Sequence, residues 1–171
     1  VEEEGGTFIA IRQGAEWAQQ ALLGRPPASD RTLALEPAEK RLNYARLALR
    51  QARDVVSGAI FASDLDLTHP LAAGFHRRCL PSHRDTSIGL ARPDNPVAVV
   101  AEYYENPLLS GYASERRRAE IGGTPMLIGE RLGNGSVVLM ADNPDVRGTW
   151  PGTSKLLFNS LFFSHLFSSP R

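Results

Sequence analysis

Residues 64–69 (DLDLTH) place two carboxylates and an imidazole within six positions, a combination suited to binding a metal ion. Alternate residues of a strand share one face, so Asp64 and Asp66 could bind one cation together with His69. The alternative is that Asp66, Thr68 and His69 form hydrogen bonds to the backbone where the strand ends before a proline. The turn chemistry of these residue types favours this alternative over the metal site.

Residues 141–155 (ADNPDVRGTWPGTSK) form a second polar stretch, between the apolar runs SVVLMA and LLFNSLFFSHLF. A loop between a strand and a helix is where α/β proteins place groups that bind ligands. The stretch offers oxygen atoms, a guanidinium and a flat apolar ring, from Asp142, Asn143, Asp145, Arg147 and Trp150. Equally, a turn at Asn143 and an Asp–Arg147 ion pair would fix the loop without a ligand, and we favour this structural interpretation over the binding pocket.

The single cysteine, Cys79, has His76 and His83 nearby in the sequence, and an adjacent imidazole would raise its thiolate fraction. However, the string HRRCLPSH lacks the sharp strand-to-helix turn that exposes a nucleophile, so we expect a loop cysteine among solvated histidines. Two histidines and a cysteine also fall short of a zinc site. Neither HxxE nor HExxH occurs in the sequence, and we expect His165 to lie at a helix end.

Composition excludes two classes of partner. Lys plus Arg and Asp plus Glu both number 19, so no net charge would hold the chain on nucleic acid or on an anionic membrane surface. No stretch approaches the roughly 20 apolar residues of a membrane span. The length of 171 residues suits a single domain, residues 1–171, with one substantial core.

The hydrophobic pattern predicts the elements that must position these groups. Strands are predicted at residues 7–11, 59–67, 87–91, 96–103, 125–132 and 136–141, and helices at residues 15–23, 36–56 and 153–168. Residues 68–86 are predicted to be irregular, and Gly133-Asn134-Gly135 predicts a hairpin turn. We expect the last helix to be capped by Thr153 or Ser154. Its apolar side chains, among them Leu157, Leu161 and Phe162, are expected to pack deep against the sheet.

Five strings taken in order resemble the C-terminal region of large bacterial zinc carboxypeptidases of the carboxypeptidase A-like class: EGGTFIAI, EWA, IFASDLDLTHPLAAGF, NPLLSGYAS and GNGSVVLMADNPDVRGTWPGTSKLLFNSLFF. They span nearly the whole chain. In those proteins the region is a class I glutamine amidotransferase-like domain that follows the catalytic domain. The resemblance therefore implies an α/β fold, a flavodoxin-like or class I glutamine amidotransferase-like layered sheet with flanking helices, lacking its first strands.

The resemblance also implies that this chain does no chemistry. The zinc ligands and catalytic groups of such peptidases belong to the upstream catalytic domain, so we expect no cofactor in this chain and zinc in that domain. Related amidotransferases keep a Cys at a nucleophile elbow, expected here before Val1, and a His in the loop that corresponds to residues 140–144, where no His occurs. We expect a non-catalytic accessory domain.

Its expected partner is the upstream catalytic domain, and an open sheet edge would favour a homo-oligomer. The resemblance further implies a secreted or periplasmic parent protein. The alternative is a module that binds peptide, sugar or a cation at the loops that follow strands. That alternative expects residues 142–153 to meet Asp64, Asp66 and His69 at one end of the sheet.

Overall fold

The computed structural model describes residues 1–26, 43–45, 48, 52 and 55–167. The predicted helix at residues 36–56 lies for the most part outside these ranges. The described part of the chain contains, in order, β1 (Thr7–Ile11), α1 (Gln13–Ala21), β2 (Ala59–Leu65), β3 (Cys79–Arg84), β4 (Val99–Ser110), α2 (Glu115–Ile121), β5 (Pro125–Leu132), β6 (Gly135–Met140) and α3 (Pro151–Phe163). No helix in these ranges has both the length and the apolar character needed to cross a membrane.

The strands form one mixed, six-stranded sheet in the order β1-β6-β5-β4-β2-β3. Strands β1 and β6 are parallel, whereas every other neighbouring pair is antiparallel. Helix α1 packs on one face through Ala15 and Ala18, and α3 packs on the other through Leu156. The fold is therefore α/β, and in the described part of the chain β1 and β3 are the edges of the sheet.

The strands at both ends of the sequence are where the pattern predicted them. β1 and β5 have the predicted bounds, β2 and β6 differ by one or two residues, and a hairpin joins β5 to β6 at Gly133 and Asn134. The predicted strand 96–103 begins with a 3-10 turn, Pro96–Ala98, and continues as β4 to Ser110. Short apolar runs rich in β-forming residues, together with the Asn-Gly turn, are therefore sufficient signals for this half of the sheet.

Two predictions of secondary structure are wrong, and one helix was not predicted. Residues 68–86 are not irregular throughout, because β3 lies within them; its Pro81 is tolerated because β3 is an edge strand. Residues 87–91 are not a strand, since the side chain of Gln19 bonds to the backbone of Gly89 and Ala91 in place of a neighbouring strand. Helix α2 was missed because its sequence, ERRRAEI, has no amphipathic period, although Ser114 caps its first turn.

Helix α3 begins earlier than predicted and buries less of its surface. It starts at Pro151, and the hydroxyl of the proposed cap Thr153 instead donates to Pro144 O at 2.6 Å. Leu156 is 1% exposed, but Leu161 and Phe162 are 59% and 67% exposed. The inward face also carries polar residues, including Asn159, whose amide donates to the backbone of Leu71 and Ala73. The prediction that Leu161 and Phe162 pack against the sheet is wrong.

Candidate functional site

The two predicted loops leave the sheet at opposite ends. Strand β2 is antiparallel to β4, β4 to β5, and β5 to β6, so β2 and β6 run in opposite directions. The loop after β6 contains Asp142, and the segment after β2 contains Asp66 and His69. Three successive antiparallel pairings separate β2 from β6, so these two strands finish at opposite ends of the sheet. The expectation that the two segments share one end of the sheet is therefore wrong.

Asp142 lies at the centre of a buried polar cluster with Arg84, Tyr103 and Ser82. Arg84 Nη1 is 2.9 Å from Asp142 Oδ1, and neither side chain has any exposed area. The hydroxyls of Ser82 and Tyr103 both donate to Asp142 Oδ2, at 2.8 and 2.5 Å. Arg84 also donates to Tyr103 Oη and to Ile88 O, and its guanidinium lies 5.0 Å from the centre of the Tyr103 ring. The Asp142 carboxylate is therefore fully occupied by side chains of β3 and β4.

Burial and neighbouring groups together shift the pKa values of Tyr103 and Arg84. Burial raises the pKa of Tyr103 well above its usual value, and the opposing effect of Arg84 does not offset it. Burial alone would lower the pKa of Arg84, but Tyr103 and Asp142 outweigh it, so the pKa of Arg84 is raised. At neutral pH Arg84 is therefore a charged guanidinium and Tyr103 a neutral phenol, whose hydroxyl donates to Asp142 Oδ2.

The other predicted residues of the loop after β6 have separate neighbours. Asn143 Oδ1 accepts a bond from Asp145 N at 3.1 Å, and Asp145 Oδ1 accepts one from Ser154 Oγ at 2.7 Å. Arg147 is exposed, with φ of 55°, and it has no ion pair with any described residue. The Trp150 ring is 6.2 Å from that of His83. The predicted Asp–Arg147 pair is not formed, because Asp142 is bound to Arg84.

The predicted site residues at the end of β2 and just after it act as surface and turn groups. Asp64 pairs with Arg78, whose Nε is 2.8 Å from Asp64 Oδ1. Asp66 Oδ1 accepts bonds from Thr68 N at 2.9 Å and from Thr68 Oγ1 at 2.7 Å, and His69 Nδ1 accepts one from Leu71 N at 3.1 Å. Among the described residues no group of three His, Cys, Asp or Glu side chains is placed to hold a metal ion. The prediction of side-chain bonds to the backbone is confirmed for Asp66 and His69.

Asp66 and His69 also have shifted pKa values. Burial lowers the pKa of His69, and the nearby Asp66 carboxylate opposes this only in part. Burial alone would raise the pKa of Asp66, but the hydrogen bonds from Thr68, with His69 and Arg78, outweigh it and lower that pKa. At neutral pH Asp66 is therefore an anion beside a neutral imidazole. The acceptor role of Nδ1 places the imidazole proton on Nε2.

The turn between β1 and α1 has a geometry that the sequence did not reveal. Arg12 has φ of 55° and ψ of −125°, a region that residues other than glycine rarely adopt. Its N–H donates to Met140 O at 2.8 Å, its carbonyl accepts bonds from the first turn of α1, and its Nη2 is 3.4 Å from Asp85 Oδ1. A strained turn from a strand into a helix is the arrangement that exposes the nucleophile in many hydrolases.

We expected any such elbow before Val1, whereas a turn of this type occurs at Arg12. The sequence signal was Ala10-Ile-Arg-Gln-Gly14, which has a small residue at each end of the turn. It was missed because the central residue is neither Ser nor Cys. Since β1 and β6 are parallel neighbours, Arg12 and Asp142 follow adjacent strands at the same end of the sheet.

The cysteine and the remaining histidines lie on or beside β3 and just after α3. Cys79 is exposed at the start of edge strand β3, so the expectation of a loop cysteine is wrong. His83 is half-buried, with Nδ1 unpaired among the described residues, and His76 is exposed. His165 lies in the 3-10 turn after α3, at a helix end as predicted.

Comparison with known proteins finds no match. No protein-family model matches the chain, and neither a curated protein nor a solved structure matches it. The function must therefore be inferred from the side chains themselves.

Proposed function

We propose that this chain is a non-catalytic accessory domain of a zinc metallocarboxypeptidase, a protein that removes C-terminal residues from peptides. The observation that carries the proposal is the residue at the turn after β1. That turn has the strained backbone of a nucleophile elbow, but its side chain is the guanidinium of Arg12. Arginine remains protonated in proteins and cannot act as a nucleophile. We thus propose a fold that retains the elbow-like turn but lacks a nucleophile at it.

The neighbouring strand end supports the same proposal. In the amidotransferases that the sequence resembles, a catalytic His follows a late strand, whereas β6 is followed here by Asp142. This carboxylate is closed off by Arg84, Ser82 and Tyr103. Arg12 and Asp85 form a second pair beside it, about two-thirds buried. On this proposal, the ion pairs Arg84–Asp142 and Arg12–Asp85 take the place of the catalytic Cys and His.

We further propose that the α/β sheet is related to the class I amidotransferase-like, flavodoxin-like arrangement. The support is the parallel pair β1 and β6, each followed by a helix, with α1 and α3 on opposite faces of the sheet. The zinc of the parent protein would be bound by its upstream catalytic domain, and the parent would be secreted or periplasmic. An exposed apolar surface on and just after α3, formed by Phe158, Leu161, Phe162 and Leu166, supports contact with that domain.

The first experiment measures the mass of the natural gene product and the peptidase activity of the isolated chain. An antibody raised against the chain should capture from the source cells a protein several times larger than 18.7 kDa. The isolated chain, supplied with Zn²⁺, should release no C-terminal residue from unblocked peptides, whereas the captured product should do so. Peptidase activity in the isolated chain, or a natural product near 18.7 kDa, would contradict the accessory role.

A second experiment tests the elbow itself. In a Cys79→Ser background, Arg12→Cys should place a thiol at the N-terminus of α1, where the helix dipole lowers a thiol pKa. Its alkylation by iodoacetamide at pH 7 should be faster than that of Cys79 in the unaltered chain. A slower reaction would show that the turn does not present its side chain as a nucleophile elbow does.

A further inference from the structure

A depression of about 300 Å³ lies beside His69, where the segment after β2 meets the turn that follows α3. Its walls combine charged and apolar side chains: Asp66, His69, Val97, Arg131, Leu166 and Phe167. It faces the opposite end of the sheet from Asp142. The inference drawn from it does not use the residues around Arg12 and Asp142 that carry the proposed accessory role. It shares Leu166 with the apolar surface proposed to contact the upstream domain, so its tests are made on this chain alone.

Gly129 of β5, which has no side chain, forms the floor of the depression. A Cβ at this position would lie 3.3–3.4 Å from Leu71 Cδ1, His69 Cε1 and Phe167 Cζ, closer than most side chains pack. The bare backbone thus allows His69 and Phe167 to approach the strand, with their rings 5.4 Å apart. A larger residue at Gly129 would push both rings outward into the depression.

Three polar groups face this space with different hydrogen-bonding character. His69 is neutral with Nε2 as its donor, because Nδ1 already accepts the Leu71 N–H. Asp66 uses Oδ1 for both bonds from Thr68, which leaves Oδ2 to accept from a ligand. Arg131 lies two residues from Gly129, on the same face of β5, and donates to Asn134 O at 2.8 Å and to Ser136 Oγ at 3.5 Å. A guanidinium has five N–H groups, so Arg131 can still bind a carboxylate.

We propose that the depression binds a small zwitterion with an apolar side chain, either an apolar α-amino acid or a short apolar peptide. Arg131 would bind the carboxylate and Asp66 the ammonium group. The opposite charges of these residues disfavour a simple anion or cation, whose charge one of them would repel. The exposed apolar faces of Val97 and Leu166, with the ring of Phe167, would cover the ligand side chain. A volume of about 300 Å³ is within the usual range for a small-molecule site.

Calorimetric titration of the whole chain with L-phenylalanine, and separately with the dipeptide Leu-Phe, tests the proposal and distinguishes the two ligand sources. We expect saturable binding of at least one of them. N-acetyl-L-phenylalaninamide, which lacks both charges, should bind at least about tenfold more weakly, because two charge-assisted hydrogen bonds are lost. Equal affinity for this blocked compound, or no saturation by either ligand up to about 10 mM, would overturn the proposal.

Three substitutions test the location of the site, and a fourth serves as the control. Asp66→Asn keeps the Oδ1 acceptor for Thr68 and removes only the charge, and Arg131→Gln removes the guanidinium; each should weaken binding about tenfold. Gly129→Ala should weaken it by displacing the rings at the floor. The control is Arg147→Gln, which removes an exposed guanidinium near the other end of the sheet and should leave affinity unchanged. Unchanged binding by Asp66→Asn and Arg131→Gln together would overturn the assignment.

Discussion

Replacing Asp142 by alanine should destabilise the chain by about 3–5 kcal/mol, because it would leave Arg84 as an unpaired charge in the protein interior. The two side chains have no exposed area, and Arg84 Nη1 lies 2.9 Å from Asp142 Oδ1. The substitution would also remove the acceptor of the Ser82 and Tyr103 hydroxyls. Since domains are stable by only about 5–15 kcal/mol, the loss would be a large part of the total.

A double-mutant cycle separates the pair from its surroundings. Asp142→Ala, Arg84→Met and the double variant are compared by urea unfolding followed by circular dichroism. The double variant should lose less than the sum of the two single changes, by about 1–3 kcal/mol, because it removes both buried charges together. Asp145→Ala is the matched control, since that carboxylate is exposed and accepts one bond from Ser154; it should cost less than about 1 kcal/mol.

Additive single changes, or a cost below about 1 kcal/mol for Asp142→Ala, would refute the structural role of the pair. A stabilising Asp142→Ala would be more informative still. It would mean that the carboxylate is retained at the expense of stability, as happens at sites that bind a ligand.

Three further predictions concern other features of the fold. Arg12→Gly should be more stable to urea than Arg12→Ala by about 1 kcal/mol, because both lose the Asp85 contact but only glycine adopts positive φ without strain; the reverse order would argue against the strained turn. The pKa of His69 is lowered in the folded chain, so the unfolded state binds the proton more readily. The unfolding free energy should therefore decrease as the pH falls through about 6.5, the ordinary value, and this decrease should be smaller in His69→Asn. Phe162→Glu should change that free energy by less than about 0.5 kcal/mol, and Leu156→Ala should lower it by about 2–5 kcal/mol; equal effects would contradict the observed orientation of α3.

Local sequence signals were sufficient to predict the structure where the strand pattern and the turn residues indicate the same element. The strands β5 and β6 and the turn at Gly133 and Asn134 were predictable because an apolar pattern flanks residues that tolerate positive φ. The bonds made by Asp66 and His69 were predictable for the same kind of reason, since each donor lies two residues away from its acceptor. These features depend on neighbours along the chain.

Features that depend on distant partners could not be read from the pattern. Most arginines in proteins are exposed, yet Arg84 is buried because Asp142, 58 residues further on, neutralises it. Likewise, residues 87–91 have a strand-like composition, but Gln19, about 70 residues earlier, takes their backbone bonds. Strand β3 contains a proline, which is acceptable only because the strand lies at an edge. Such pairings between distant residues cannot be identified from a single sequence.

The two arginines explain how a strained turn persists at the end of β1. A nucleophile elbow costs about 1–3 kcal/mol of backbone strain, which an enzyme retains for its chemistry. Here the Arg12 N–H bonds to β6 through Met140 O, and its side chain reaches Asp85, the neighbour of Arg84. Arg84 in turn binds Asp142 at the end of β6. Because the turn and the loop after β6 are each tied to the end of β3, removing either pair should loosen the other.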